Sequence, residues 1–276
     1  MRGVPSTMRA AVLSRFGGPE VIEVVREFPV PVVKPHEVLV KVRAASVNPL
    51  DCRVRAGYGA AAYRPHLPMI LGRDVSGEVV AAGASAGRMF PLGTSVFGAL
   101  SPVDTSRGTH AEYVAMPEAH LALKPKCLTH AEAAGIPFAA LTAWRGLFGA
   151  GQLVSGERVL IMGGGSAVGT AAAQLATARG CHVAATCGPR SRARLSSLGV
   201  TQLADYTAGR DGAVSAVAER EGWAPFDVAL DTVGSQKSER GAIGLLRRGV
   251  GRYVTLHGLM AGLVGEKGFV EGGARE

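Results

Sequence analysis

The chain has 276 residues, with 47% hydrophobic and 5% aromatic side chains, and carries 30 Lys and Arg against 22 Asp and Glu, a formal net charge of +8. This length suits two domains, and the composition is typical of a folded, turn-rich protein rather than a disordered one. The basic residues are scattered and are not interleaved with aromatic residues, which argues against nucleic-acid binding. The longest nearly uncharged stretch, residues 133–144, is shorter than the ~18 residues of a membrane span. We therefore expect no nucleic-acid partner and no membrane span.

The first half of the chain has strand patterns separated by Gly and Pro turns, which predicts a mainly β domain. The predicted strands are Met8–Ser14, Val21–Val25, Glu37–Ser46, Asp74–Ala82 and Ala111–Met116. A helix then begins after Thr129, a predicted N-cap with Glu132 three residues later as its capping-box partner. We therefore place the domain boundary at this point and predict a β domain over residues 1–128 and a second domain over 129–276.

The second half opens with an apolar run, Arg158–Met162, that ends in clustered glycines and continues into a helical pattern of small residues over 170–180. This order predicts a strand, a phosphate-binding turn and a helix, in which backbone amides and the positive helix end face a pyrophosphate. In the G-x-G-x-x-G register the three positions are Gly164, Ser166 and Gly169, so a serine replaces the middle glycine. The motif predicts a dinucleotide site, although glycine-rich turns also simply connect strands to helices.

Strand and helix patterns keep alternating beyond this turn, as a doubly wound parallel sheet requires. Further strands are predicted at Cys181–Thr186, Gln202–Tyr206, Phe226–Asp231 and Arg252–His257, with helices at Arg190–Leu198, Ala213–Glu221 and Ser238–Arg248. Five strands with intervening helices predict an α/β fold of the Rossmann type. The four cysteines, Cys52, Cys127, Cys181 and Cys187, are irregularly spaced and predict neither a disulfide framework nor a zinc site.

The residues after the second of these strands bear on which dinucleotide binds. An acidic side chain there would hydrogen-bond the adenosine ribose of NAD, but the run from Thr186 to Arg194 contains none. It contains Arg190, Arg192 and Arg194, and arginine matches the geometry and charge of a phosphate. NADPH is therefore favoured over NADH, with a solvated basic helix start as the alternative interpretation.

Four segments carry a resemblance to a known family: Ala44–Asp51, Leu71–Val79, Gly108–Tyr113 and Leu141–Trp144. Together with the glycine turn they resemble the zinc-independent quinone oxidoreductase branch of the medium-chain dehydrogenase/reductase superfamily, which implies a GroES-like β domain followed by a Rossmann domain. The segments Arg55–Gly59 and Tyr253–Leu256 are most similar to the mitochondrial reticulon-interacting oxidoreductase group. The resemblance implies a mitochondrial location, with the cytoplasm or another organelle as the alternative.

Zinc-dependent members of the superfamily need a cysteine and a histidine where this chain has Asn48 and Arg73. Neither an amide nor a guanidinium offers zinc the thiolate or imidazole that it prefers, so no metal site is predicted. The resemblance then implies hydride transfer from NADPH to a quinone or enone. It assigns substrate and nicotinamide contacts to Asn48, Tyr58 and Thr142, although Tyr58 and Asn48 also suit plain loop and turn positions.

The resemblance also implies the cofactor contacts. The pyrophosphate turn would comprise Gly164, Ser166, Ala167, Val168 and Gly169, and the 2′-phosphate region Arg190, Ser191, Arg192 and Tyr206. Val233 and Gly234 would approach the adenosine, and Thr255, Leu256 and His257 would end the fifth strand near the ligand. Tyr206 also suits a residue that merely covers the sheet edge.

Relatives of this kind continue beyond the fifth strand, whereas this sequence ends in a glycine-rich tail after Gly258. The chain is therefore expected to be C-terminally truncated, with an incomplete Rossmann sheet. This leaves a second function class open, a non-catalytic cofactor-binding interaction protein or an inactive truncated form. Relatives also pair through the Rossmann edge, so a homodimer is a further expectation.

Overall fold

The structure is a computed structural model that describes residues 3–101, 104, 107–207, 222–223 and 225–256, without the side chain of Pro65. The contacts divide the chain into two units, Met1–Phe138 and Ala139–Glu276. Within the described residues, no helix is long and apolar enough to cross a membrane.

The first unit is built from β-strands, as the sequence predicted. They are β1 (Thr7–Leu13), β2 (Ile22–Pro29), β3 (Glu37–Ala44), β4 (Met69–Ile70), β5 (Asp74–Ala82), β6 (Ser95–Ala99), β7 (Tyr113–Pro117) and β8 (Leu121–Leu123). One sheet has the order β2-β1-β4 and the other the order β7-β3-β5-β6-β8. Strand β5 has the predicted bounds, whereas β4, β6 and β8 were not predicted because they are short and lack a clear polar and apolar alternation.

Three short helices accompany these strands: α1 (Pro49–Arg55), α2 (Ala60–Tyr63) and α3 (His130–Ala134). The predicted capping box at the start of α3 is confirmed. The backbone amide of Glu132 donates to Thr129 Oγ1 over 3.2 Å, and the amide of Thr129 donates to Glu132 Oε2 over 2.8 Å. These bonds satisfy amides that the first turn of a helix leaves unpaired. Helix α4 (Pro137–Trp144) follows and runs across the division between the two units.

The second unit contains a parallel sheet of the Rossmann type. Its strands are β9 (Arg158–Met162), β10 (His182–Cys187), β11 (Gln202–Asp205), β12 (Val228–Asp231) and β13 (Arg252–Thr255), in the order β11-β10-β9-β12-β13. The described helices between these strands are α5 (Ala167–Ala178), α6 (Pro189–Ser197) and α7 (Gln236–Ile243). The chain leaves β9 toward β10 on one side and returns to β12 on the other, so the order reverses between β9 and β12. The prediction of a doubly wound sheet is confirmed.

Both faces of this sheet are buried, which explains why its strands read as continuous apolar runs. On β9, Val159 and Ile161 pack into one core cluster together with α5, whereas Leu160 and Met162 pack into a second cluster on the opposite face. This alternation follows from the two-residue repeat of a strand. The sheet is therefore held rigidly from both sides, and its strand ends are fixed in place.

One predicted helix ends earlier in the structure, and another falls outside the described residues. The helix predicted over 238–248 is α7, which begins after Ser235 and ends before Gly244. It stops there because the following segment pairs with the sheet: the amide of Phe226 donates to the carbonyl of Leu245, and the amide of Arg247 to the carbonyl of Phe226. The helix predicted over 213–221 lies outside the described residues.

Candidate cofactor site

A cleft of about 1220 Å³ opens at the carboxyl ends of β9, β10 and β12 in the second unit. Ligands of open parallel sheets bind at this edge, where the strand order reverses. The predicted cofactor residues that line the cleft are Ser166, Arg190, Ser191, Tyr206 and Val233. The geometry thus brings together residues that are 67 positions apart in the sequence.

The glycine turn after β9 is shaped by close backbone contacts. Gly163 has a φ of +78°, in the left-handed region that favours glycine. A Cβ on Gly169 would lie 2.3 Å from the carbonyl oxygen of Gly163, and one on Gly164 would lie 2.8 Å from Cβ of Ala185. Gly169 therefore lets the first turn of α5 press against the strand end, the packing role of the last glycine in a dinucleotide-binding turn.

Ser166, which replaces the middle glycine of the motif, is the N-cap of α5. Its Oγ accepts a hydrogen bond of 2.9 Å from the amide of Gly169 and lies 3.2 Å from Thr232 Oγ1. Its φ of −71° needs no glycine. Because the side chain is directed to the helix and not across the turn, the serine is compatible with the open helix end that phosphate binding needs.

The charged side chains that line the cleft are all positive. Three cationic side chains line it, Arg190 from α6 and Lys237 and Arg240 from α7, and no Asp or Glu stands among its described lining residues. The lining also has eight hydroxyl groups, which belong to Ser166, Thr186, Ser191, Tyr206, Thr207, Thr232, Ser235 and Ser238. Cations, hydroxyls and a helix N-terminus together suit a ligand with several phosphates. Lys237 and Arg240 were not predicted from the sequence, because nothing in their spacing relates α7 to the glycine turn.

Two other arginines of α6 are placed differently. Arg192 donates to the carbonyl of Leu203 over 3.2 Å and lines a separate depression beside Ser196 and Val200, so it is not brought together with the cleft residues. Arg194 donates to the carbonyl of Gly165 over 2.9 Å and thereby ties α6 to the glycine turn. Of the three arginines, only Arg190 faces the cleft.

The remaining predicted contacts lie around the same sheet edge or beyond the described residues. The amides of Val233 and Gly234 both donate to Asp231 Oδ1, which fixes the loop after β12. Thr255 ends β13, and the amide of Leu256 donates to the carbonyl of Asp231 over 3.1 Å. His257 lies outside the described residues. Thr142 lies on α4 and does not line the cleft.

In the first unit, Asn48 and Asp74 form a hydrogen-bonded group. Asp74 is 1% exposed and accepts bonds from Ser46 Oγ over 2.5 Å, Asn48 Nδ2 over 2.8 Å and the amide of Phe138 over 2.6 Å. Burial raises the pKa of Asp74, and the three donors oppose that rise. Asn48 Nδ2 also donates to Ser46 Oγ over 3.1 Å, so the amide nitrogen is held in place from two sides.

Arg73 and Tyr58 lie near this group in the chain but have different surroundings. The buried Arg73 guanidinium donates to the carbonyl of Asp104 over 2.5 Å and to the Tyr63 hydroxyl over 3.1 Å. It is therefore a charge satisfied by oxygen acceptors, and neither it nor the amide of Asn48 suits zinc. Among the described residues, no cluster of three His, Cys, Asp or Glu side chains could hold a metal ion. Tyr58 is half-buried between Gly57 and Gly59, which both have positive φ.

Two family models match the chain, one in each half. Residues 34–126 match the family model of the alcohol dehydrogenase GroES-like domain, and residues 167–265 match the model described as zinc-binding dehydrogenase. The chain is 36% identical over 269 residues to the zebrafish (Danio rerio) protein "NAD(P)H oxidoreductase RTN4IP1, mitochondrial", which covers 91% of this chain and 67% of that protein. It is 38% identical over 210 residues to the "2-methylene-furan-3-one reductase" of Solanum lycopersicum, covering 74% of this chain and 53% of that protein.

Among solved structures, the quinone oxidoreductase of Coxiella burnetii aligns with a TM-score of 0.81 and 32% identity over 93% of this chain and 78% of that one. The chain therefore belongs to the medium-chain dehydrogenase/reductase superfamily, a class of nicotinamide-dependent oxidoreductases. The names of the zebrafish and human relatives describe those proteins as mitochondrial. It spans about two thirds of the length of the zebrafish relative.

Proposed function

We propose that the chain is an NADPH-dependent oxidoreductase that transfers hydride to quinones or related enones without a catalytic zinc. The observation that carries this proposal is the cleft at the carboxyl ends of β9, β10 and β12, which combines a glycine turn and a helix N-terminus with three cations and no described carboxylate. Such a lining favours a dinucleotide with an additional phosphate over one without.

The residues of the cleft divide the binding task between them. The turn from Gly163 to Gly169 and the first turn of α5 would hold the pyrophosphate, with Ser166 as the helix cap. Arg190, at the start of α6, stands where an acidic residue would select the ribose of NAD, so it would pair with the 2′-phosphate. Lys237 and Arg240 add positive charge from α7.

The proposal of a zinc-independent reaction rests on side-chain chemistry. Asn48 directs its amide nitrogen to Asp74, and Arg73 is a buried cation bonded to Tyr63 and to backbone carbonyls. A cation at this position opposes the binding of Zn²⁺. The bound dinucleotide would supply hydride transfer itself, and the protein's task would be to orient the acceptor and exclude water.

Quinones and enones suit this arrangement because they accept hydride readily and leave an oxyanion that needs only a hydrogen-bond donor or a solvent proton. The names of the relatives, a quinone oxidoreductase and a 2-methylene-furan-3-one reductase, support this acceptor class. We propose Asn48, Tyr58 and Thr142 as contacts of the substrate and nicotinamide. The homodimer expected from the sequence stays a prediction.

Oxidation of NADPH, followed by its absorbance with menadione or an enone as acceptor, tests the proposal. We expect turnover with both acceptors that persists in the presence of a metal chelator. Tyr58→Phe and Asn48→Ala should lower turnover without abolishing NADPH binding. Binding of NADPH without turnover on either acceptor would contradict the enzyme and favour a non-catalytic cofactor-binding protein.

A further inference from the structure

The carboxylate of Asp231 is completely buried at the carboxyl end of β12, with an exposure of 0%. Its Oδ1 accepts the amides of Val233 over 2.8 Å and Gly234 over 3.0 Å. Its Oδ2 accepts the hydroxyls of Ser238 over 2.7 Å and Tyr253 over 2.8 Å. The four donors come from three segments: the loop after β12, the first turn of α7, and β13.

A buried carboxylate is costly unless its lone pairs are satisfied, and an apolar residue could end a strand at less cost. Here two of the bonds, from the amides of Val233 and Gly234, fix the loop after β12, and the other two tie α7 and β13 to the same carboxylate. Burial and the neighbouring Asp231 raise the pKa of Tyr253, so its phenol keeps its proton and remains a donor. Ser238 is held in turn, because the amide of Ser235 donates to its Oγ over 3.0 Å.

The loop that Asp231 fixes forms part of the cleft wall. Val233 is 54% exposed, although its backbone is anchored from beneath by the carboxylate, and Gly234 has a φ of +71°. On its other side the loop abuts the glycine turn: a Cβ on Gly163 would lie 2.6 Å from Thr232 Oγ1 and 2.9 Å from Val233 Cγ2. Thr232 Oγ1 also donates to the carbonyl of Met162 over 2.8 Å. A shift of this loop therefore changes the cleft and the turn together.

We propose that Asp231 is a positioning residue that, together with Ser238 and Tyr253, fixes the loop of residues 232–234 against the glycine turn and thereby sets the shape of the cofactor cleft. This inference rests on the proposed binding of NADPH in that cleft. Asp231 acts through the loop and the turn. The proposal extends the site to Tyr253 on the neighbouring strand, whose hydroxyl secures β13 to the same carboxylate.

The chain offers a matched control at the opposite end of the same strand. Asp227, 8% exposed, directly precedes β12, accepts the amide of Arg158 over 2.9 Å and lies 3.2 Å from Arg247. Asp231→Ala and Asp227→Ala both remove a buried, hydrogen-bonded carboxylate and should both lower the melting temperature. Only Asp231 lies at the carboxyl end of the sheet, where the cleft opens.

The test measures the Kd of NADPH by titration for the wild type and both variants. We expect Asp231→Ala to raise the Kd at least tenfold and Asp227→Ala to change it less than twofold. Tyr253→Phe, which removes one of the four donors and keeps the ring, should raise the Kd at least threefold. If Asp231→Ala does not fold, this variant tests the positioning role in its place.

An equal effect of the two aspartate variants on the Kd, or an unchanged Kd in Tyr253→Phe, would overturn the inference. The wild-type titration separates this failure from a failure of the proposed function. If the wild type binds NADPH and the variants do not discriminate, only the positioning role is wrong. If the wild type does not bind NADPH, both proposals are wrong.

Discussion

Substitution of Gly169 by alanine tests the packing of the glycine turn at atomic detail. The new Cβ would lie 2.3 Å from the carbonyl oxygen of Gly163, 2.9 Å from its carbonyl carbon and 2.7 Å from Cα of Gly164. Close C···O contacts in proteins lie at about 3.3 Å, so the first turn of α5 must move away from the end of β9 by about 1 Å. All three clashing atoms are backbone, and no side-chain rotation relieves the contact.

Overpacking of this kind costs about 1–3 kcal/mol of folding free energy. Because the displaced turn is the one proposed to hold the pyrophosphate, the Kd of NADPH should also rise by about tenfold, which corresponds to about 1.4 kcal/mol. Urea denaturation measures the first effect and a binding titration the second. Gly149→Ala is the control, since its Cβ would meet nothing within 4 Å; it should not destabilise the protein and should leave the Kd unchanged. A Gly169→Ala protein with unchanged stability and unchanged Kd would refute this account of the turn.

Three further predictions concern the cleft and the first unit. Arg190→Gln should weaken NADPH binding by about tenfold and leave NADH binding unchanged, because the lost charge is the one proposed to pair with the 2′-phosphate. An equal loss of affinity for both in parallel titrations would contradict this role. Ser166→Ala should destabilise the protein by about 1 kcal/mol through loss of the α5 cap, whereas Ser166→Gly should cost only about 0.3 kcal/mol. Denaturation curves that show Ser166→Gly to be the less stable variant would be inconsistent with the cap. Burial raises the pKa of Asp74 above 3.8, so the folded state binds that proton more tightly than the unfolded state. This contribution to stability is present at low pH and is lost as the pH rises from 3.8 through the raised pKa. The wild type should therefore lose stability relative to Asp74→Asn over that range. A difference in unfolding free energy between the two proteins that stays constant with pH would argue against this role of Asp74.

The parts of the fold that follow from local sequence were predictable. The segment from Arg158 to Ala178 contains its strand, turn and helix within one continuous pattern, and the cap at Thr129 is encoded by residues three positions apart. Element boundaries shifted by a few residues where tertiary pairing intervened. Helix α7 ends before Gly244 because the next segment bonds to Phe226, a contact that no local pattern of the helix contains.

The site was predictable only in part, because the cleft joins distant segments. The glycine turn, Arg190 and Tyr206 could be identified from their positions after β9, β10 and β11. The role of Ser166 as a helix cap could also have been read from its place before a helical run, since serine favours that position. Lys237 and Arg240 reach the cleft only through the packing of α7 against the sheet.

Some hydrogen-bond partners were likewise beyond local patterns. Asn48 meets Asp74 across 26 positions of sequence, and Tyr253 meets Asp231 across 22. In both cases the acceptor is a buried carboxylate whose partners are brought to it by separate elements. A pattern along one strand or helix indicates that such a residue is buried, but the identity of its donors depends on the tertiary fold.

Titration of the purified chain with NADPH and NADH in parallel tests whether the cleft binds a phosphorylated nicotinamide dinucleotide. Thermal unfolding at saturation provides an independent readout, because a ligand that binds the folded state alone raises the melting temperature. We expect tighter binding of NADPH than of NADH, with a rise in melting temperature that depends on NADPH concentration. Equal affinity for the two would contradict the assignment of Arg190, and no binding of either would contradict the cofactor site itself.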